Sequence, residues 1–180
     1  MIRLFVALPC PLEFEEALLD MQRGVEGMRW VPAENFHVTL RFVGEVERPM
    51  AEDIAAALNC LDAPAPTIAL QGVGVFDHGR SGSVWARIVP KEPLEALHRK
   101  IDRAIVSCGL QPERRAFIPH ITIGRWSRGA VAMDAWKDRF AGLASAPARV
   151  ARFALYQSHL GADGPAYEPI SHVPLRAEQA

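Results

Sequence analysis

His37 and Thr39 stand two residues apart in FHVTL, and the same arrangement returns far along the chain as His120 and Thr122 in PHITI. The chain has only three threonines, Thr39, Thr67 and Thr122, and two of them follow a histidine at this spacing. Side chains on a β-strand alternate between faces, so His37 and Thr39 point one way while Val38 and Leu40 point the other. The same parity separates His120 and Thr122 from Ile121 and Ile123. If the two strands lie near each other, two imidazoles and two hydroxyls face one cleft.

Such a set suits in-line displacement at a cyclic phosphodiester. One neutral imidazole takes a proton from an attacking water, and a protonated one supplies a proton to the departing sugar oxygen. An imidazole with an ordinary pKa of about 6.5 can fill either role near neutrality. Threonine hydroxyls donate hydrogen bonds to the non-bridging oxygens, where negative charge accumulates. No metal is then required. Zinc is the rival use of paired histidines, although metal pairs on one strand usually read His-x-His and threonine is not a common zinc ligand. A single histidine on a strand is more often boundary packing, and it is the duplication that favours chemistry.

Basic and aromatic residues near the motifs are the next candidates. Arg125 follows Ile123-Gly124; simple alternation turns it away from His120, unless Gly124 hosts a bulge or strand end that redirects it. Arg41 shares the parity of His37 and Thr39 and reads equally well as a cleft residue or a solvated strand end. Arg80, Arg114, Arg115 and Arg128 fall in loops, where ordinary surface charge is the default. His98 sits at the edge of a helical apolar stripe and reads as structural, His78 lies in a polar loop that could border the cleft, and His159 and His172 lack a partner motif. Phe76 and Trp85 are open to stacking on a nucleobase, whereas Phe36 and Phe117 read as core.

These strands need a scaffold, and 180 residues at 49% hydrophobic and 23% charged suit one soluble globular domain with a substantial core. Strands are expected over Ile2 to Leu8, Phe36 to Val43, Pro66 to Phe76, Ser83 to Val89, Phe117 to Ile123, Arg149 to Ser158 and Tyr167 to Leu175, the last two around a Gly161 to Pro165 turn. Helical spacing marks Leu12 to Val25, Met50 to Leu61 after Pro49, and Pro93 to Cys108 with Leu94, Leu97, Ile101 and Ile105 on one stripe. This order suggests an α+β protein, with the motif strands in successive halves that form a pseudo-symmetric pair of lobes.

A net charge of -1 excludes a broadly basic nucleic-acid surface and leaves room for a local positive cleft. Cys10, Cys60 and Cys108 are odd in number and far apart, which indicates neither a disulfide framework nor a thiolate zinc site. The apolar start is broken by Arg3, Pro9 and Pro11 and runs into Glu13, so neither a signal peptide nor a membrane span is expected, and the protein is read as cytoplasmic.

The paired H-x-T-x motifs resemble those of the 2H phosphoesterase superfamily, and more closely its RNA 2′,3′-cyclic phosphodiesterase branch, also called the 2′-5′ RNA ligase family. RLFVALP, WVPAENFHVTLRFVGEV, VFDHGRSGSVW, RAFIPHITIGR, FALYQSHL and GPAYEPI are similar to that family's successive blocks, so the resemblance spans nearly the whole chain. It implies a bilobal α+β fold within one domain over residues 1–180, with two antiparallel β-sheets flanked by helices around a central cleft. It further implies metal-independent, cofactor-free hydrolysis of an RNA 3′ end bearing a 2′,3′-cyclic phosphate to a 2′-phosphate; a monomer is expected. His37 would then protonate the 3′ leaving oxygen, His120 would activate water, Thr39 and Thr122 would bind the phosphate, and Arg125 would assist. ATP-independent joining of RNA ends through a 2′-5′ linkage is also implied. Small cyclic nucleotides, 2′-5′-linked oligonucleotides and a non-catalytic RNA-end binding module remain the alternatives.

Overall fold

The β-rich opening makes strand β1 (Ile2–Pro9) and is followed by helix α1 (Leu12–Asp20). The computed structural model describes residues 1–129, 131–161 and 164–177. Helix α1 is shorter than its apolar spacing predicts. It closes at Met21, and Gly24 then takes a φ of 78°, a left-handed conformation that glycine adopts without a β-carbon clash. A two-residue strand β2 (Arg29–Trp30) and a single 3-10 turn at Ala33–Asn35 lead into β3 (His37–Val46). Helix α2 (Arg48–Asn59) holds Pro49 in its first turn, where a missing N–H leaves no bond unmade.

Strands β4 (Thr67–Asp77) and β5 (Gly82–Val89) form the expected hairpin, and α3 (Lys91–Ser107) buries Leu94, Leu97, Ile101 and Ile105 as the stripe requires. Strand β6 (His120–Trp126) starts at the motif histidine rather than at Phe117, because Pro119 has no N–H to give to a ladder. Helix α4 (Asp134–Phe140) and strand β7 (Ala148–Arg149) are additions that no periodicity announced. Helix α4 buries only Trp136, too little apolar surface for a visible pattern. Strands β8 (Arg152–Gly161) and β9 (Gly164–Pro174) close the chain; residues 162 and 163 of the expected turn lie outside the described residues.

The strands run in the order β7-β4-β5-β6-β3-β1-β8-β9, with β2 added beside β6, and every pairing between them is antiparallel. The two antiparallel sheets expected of the chain are joined, among the described residues, in one nine-stranded sheet, whose runs β7-β4-β5-β6 and β3-β1-β8-β9 meet at the two motif strands. They are joined there by a single register pair, Val38 opposite Ile121. Helices α1, α2 and α3 supply Phe14, Leu18, Ile54, Leu58, Leu97 and Ile101 to the core that also holds Val38, Leu40, Ile121 and Ile123. Burying each such side chain contributes about 1.5–3 kcal/mol. The face that anchors the motifs is thus dry, and the other is left for the histidines.

Candidate active site

Alternation about the Val38–Ile121 rung sets His37 across from Thr122 and Thr39 across from His120. All four polar side chains are half-buried, while Val38, Leu40, Ile121 and Ile123 between and beside them are buried. The sequence parity is therefore realised, and the structure brings the two motifs together on one face.

Both imidazoles are oriented by the same local device. His37 Nδ1 lies 2.7 Å from the backbone carbonyl oxygen of Asn35, and His120 Nδ1 lies 2.6 Å from that of Ile118. A carbonyl only accepts, so each Nδ1 carries hydrogen and each Nε2 is the nitrogen that gains or loses a proton. Asn35 is itself tied down by its amide, which donates to the Pro165 carbonyl at 3.0 Å. Aromatic rings fix the remaining freedom. Phe5 and Tyr167 stand 5.0 and 5.2 Å from the His37 ring, and Phe76 and Trp85 stand 5.1 and 5.4 Å from the His120 ring. Gly74 makes room for this, since a β-carbon there would be driven into the Trp85 indole.

Each motif strand bulges directly after its threonine. In β3, Thr39 pairs with Ala7 and Arg41 with Val6, so Leu40 is the extra residue; in β6, Thr122 pairs with Trp85 and Gly124 with Val84, so Ile123 is the extra residue. An extra residue reverses the alternation that follows. In β6 the reversal returns Arg125 to the face of Thr122, the redirection that the sequence left to Gly124, now placed one residue earlier. In β3 it turns Arg41 away from the threonine face. Arg41 is buried, and its guanidinium donates to Asp102 at 2.6 Å and to the Gln111 carbonyl at 2.6 Å, with Glu113 at 3.6 Å. It still reaches the cleft wall, as a buried ion-paired residue rather than a solvated strand end. Phe42, half-exposed, takes the place facing the cleft, and the Arg115 guanidinium lies 5.6 Å from its ring.

The bulge carbonyls are caught by side chains that spacing could not assign. His98 Nδ1 on α3 meets the Leu40 carbonyl at 2.6 Å, and the Gln22 amide after α1 donates to the Ile123 carbonyl at 3.2 Å. His98 is structural, as its stripe position suggested, and it also stacks on Phe117 at 4.6 Å. His159 pairs with Glu168 on the neighbouring strand, and His78 borders the cleft.

The cleft has a volume of about 650 Å³, within the usual range for a small-ligand site. Thr39, His120, Thr122 and Arg125 line it, with Phe42, Phe117 and Ile118 towards one end and Arg29, Ser81, Ser83 and Ser127 towards the other. His37 is recessed from that lining but feels the charges of Arg125 and His120. Burial, then Arg125, then His120 push the His37 imidazole down to about 4, partly offset by the Asn35 carbonyl. Burial and Arg125 also lower His120. Both rings are therefore mostly neutral at pH 7, chiefly through burial, and a bound anion raises their proton affinity. Among the described residues Glu113 is the one carboxylate on the cleft wall, and its contact with Arg115 holds it down to about 2. Among the described residues, no three His, Cys, Asp or Glu side chains gather in a way that could hold a metal ion.

Phe5, Tyr167, Gln22 and Arg29 are the site residues that sequence reading missed. Arg29-Trp30 lies shortly before the first motif, but nothing in that short stretch signals a strand paired with β6. No helix among the described residues is long and apolar enough to cross a membrane.

Residues 13–162 match the family model of the 2′-5′ RNA ligase superfamily. A relative from Aeropyrum pernix, named RNA 2′,3′-cyclic phosphodiesterase, is 31% identical over 150 residues, covering 81% of this chain and 85% of that one. A Thermotoga maritima protein of the same name is 30% identical, covering 93% and 92%. Among solved structures, Escherichia coli LigT complexed with 3′-AMP superposes with a TM-score of 0.80 at 26% identity, covering 97% of this chain and 98% of that one.

Proposed function

Because the chain belongs to the 2′-5′ RNA ligase superfamily, we propose that it is an RNA 2′,3′-cyclic phosphodiesterase that opens a terminal 2′,3′-cyclic phosphate to a 2′-phosphate. The observation that carries this reading is the pair of imidazoles around one rung, each with Nδ1 held by a carbonyl and Nε2 left to move a proton. In this mechanism His120 Nε2 takes a proton from water as the water oxygen attacks phosphorus. The bond from phosphorus to the 3′ oxygen breaks, and His37 Nε2–H protonates that oxygen. Thr39 and Thr122 donate to the non-bridging oxygens, and Arg125 offsets their charge. An RNA 5′-hydroxyl in place of water on the same phosphorus gives a 2′-5′ linkage instead.

The acid role asks the more strongly depressed imidazole to carry the proton. A bound phosphate monoanion works against that depression: its own charge favours the imidazolium in the buried site and it offsets Arg125, so the proton affinity of both rings rises together. We further read the chain as one domain of two pseudo-symmetric lobes, each giving one motif. One chain supplies both motifs, so a monomer suffices. An RNA substrate and three free cysteines suit the cytoplasm.

The test is digestion of a defined RNA 2′,3′-cyclic phosphate in excess chelator, followed by identification of the phosphate position. A 2′-phosphate formed at undiminished rate is expected. A 3′-phosphate, no product, or a rate lost to the chelator would overturn the reading.

A further inference from the structure

We propose that Arg29 and Arg125 form a second phosphate subsite, which takes the internal phosphodiester next to the cyclised terminus of an RNA; this rests on the hydrolase reading above. Arg29 on β2 is the direct register partner of Arg125 on β6. Directly opposed residues of an antiparallel pair share a face, with β-carbons about 4.5–5.5 Å apart. The next pair confirms the faces: Trp30 opposes Gly124 and packs over it on the far side, where a glycine β-carbon would meet the indole at 2.7 Å. Arg29 and Arg125 therefore project together on the side of Thr122.

Like charges set directly opposite each other destabilise a sheet. Both arginines are exposed, and neither has an acidic partner among the described residues. Glu113, the one carboxylate on the cleft wall, is engaged by Arg115 and Arg41. An anion between the two guanidiniums turns this repulsion into attraction, and the planar fork of arginine matches phosphate oxygens.

The position decides which phosphate. His37 lies across from Thr122 and Arg29 across from Arg125; past the Ile123 bulge these two β6 positions pair with Trp85 and Ser83, two residues apart on β5, roughly 7 Å at a strand rise of about 3.3 Å per residue. That is the reach of about one nucleotide of extended chain. At the opposite end of the cleft, beside Phe42, Phe117 and Ile118, the cations Arg41 and Arg115 are already paired with Glu113, so that end suits a base rather than a second phosphate. An RNA with its cyclic phosphate between the imidazoles thus lays its next phosphate at Arg29, while a cyclic mononucleotide has nothing to offer there. Arg29 is the residue that favours oligonucleotide ends.

Turnover of a trinucleotide 2′,3′-cyclic phosphate and of a nucleoside 2′,3′-cyclic monophosphate is compared for the wild type, Arg29→Ala and Arg29→Lys. A second trinucleotide carries an uncharged methylphosphonate at its last internal linkage. Arg29→Ala is expected to raise KM for the trinucleotide about 10- to 100-fold, the scale of one lost charge-assisted contact. Its effect on the mononucleotide should be several-fold smaller, and Arg29→Lys should recover part of the loss. The neutral linkage should cost the wild type as much and Arg29→Ala nothing more. Equal losses on both substrates, or a neutral linkage that harms Arg29→Ala as much as the wild type, would overturn the subsite. Failure of the wild type on every substrate would overturn the hydrolase reading instead. Binding of 2′-phosphorylated trinucleotides then decides the subsite: a preference for the charged over the neutral linkage that Arg29→Ala abolishes supports it, and one that survives refutes it.

Discussion

The two motif strands match residue for residue up to the threonine and part company after it. In each, a histidine gives Nδ1 to the carbonyl two residues back, sits between two aromatic rings, and precedes a bulge whose carbonyl is caught by a distant side chain. Beyond the bulge, β3 presents Phe42 to the cleft and β6 presents Arg125. On the proposed mechanism, the duplicated part is what proton transfer at phosphorus needs twice. The divergent part is what an asymmetric substrate needs once at each end, an apolar surface for a base and a charge for phosphate. The histidines differ too, since burial depresses His37 as far as about 4.

Four experiments would break or sharpen this comparison. The largest effect should come from the shared part: His37→Ala and His120→Ala are each expected to lower kcat by about 10²- to 10⁴-fold in a steady-state assay. A twentyfold disparity in either direction would show that the two rings are not a matched pair. Next, Arg125→Ala should lower kcat/KM by about 10²-fold, and Phe42→Ala should act through KM by about 10-fold. Similar effects on kcat from both would erase the proposed division of labour.

His98→Leu should follow, with a loss of about 1–3 kcal/mol in denaturant unfolding as the Leu40 carbonyl loses its donor. Gln22→Leu should cost less, because the Val31 backbone N–H still bonds the Ile123 carbonyl at 2.8 Å. The reverse order would mean that the bulges are not held as described. The smallest effect concerns acid. The unfolded chain protonates His37 near pH 6.5 and the folded one near 4, so stability should fall as pH drops through that window. Melting temperatures followed from pH 7 to 4 should decline less steeply in His37→Gln, and parallel curves would show that burial does not depress this ring.

Strand parity was legible in the motifs because Val38, Leu40, Ile121 and Ile123 give the alternation its apolar half. The α3 stripe was legible for the same reason. Arg41 and Arg125 were harder, since a bulge reverses everything after it and leaves no mark in composition. Tyr167 and Phe5 reach His37 only through strands far apart in sequence. Helix α1 ended early where Gln22 left helical spacing to reach Val31 and Ile123, a contact that no local pattern encodes.

The lone rung between Val38 and Ile121 has a mechanical consequence. The aromatic anchors of the His37 ring belong to one run of strands and those of the His120 ring to the other, so hydrogen bonding between strands is sparsest along the line between the two imidazoles. The gauge of the catalytic gap is then set from beneath, by how Val38 and Ile121 seat in the oily layer. One methylene added or removed there, on the face away from the imidazoles, resets the separation of the two rings.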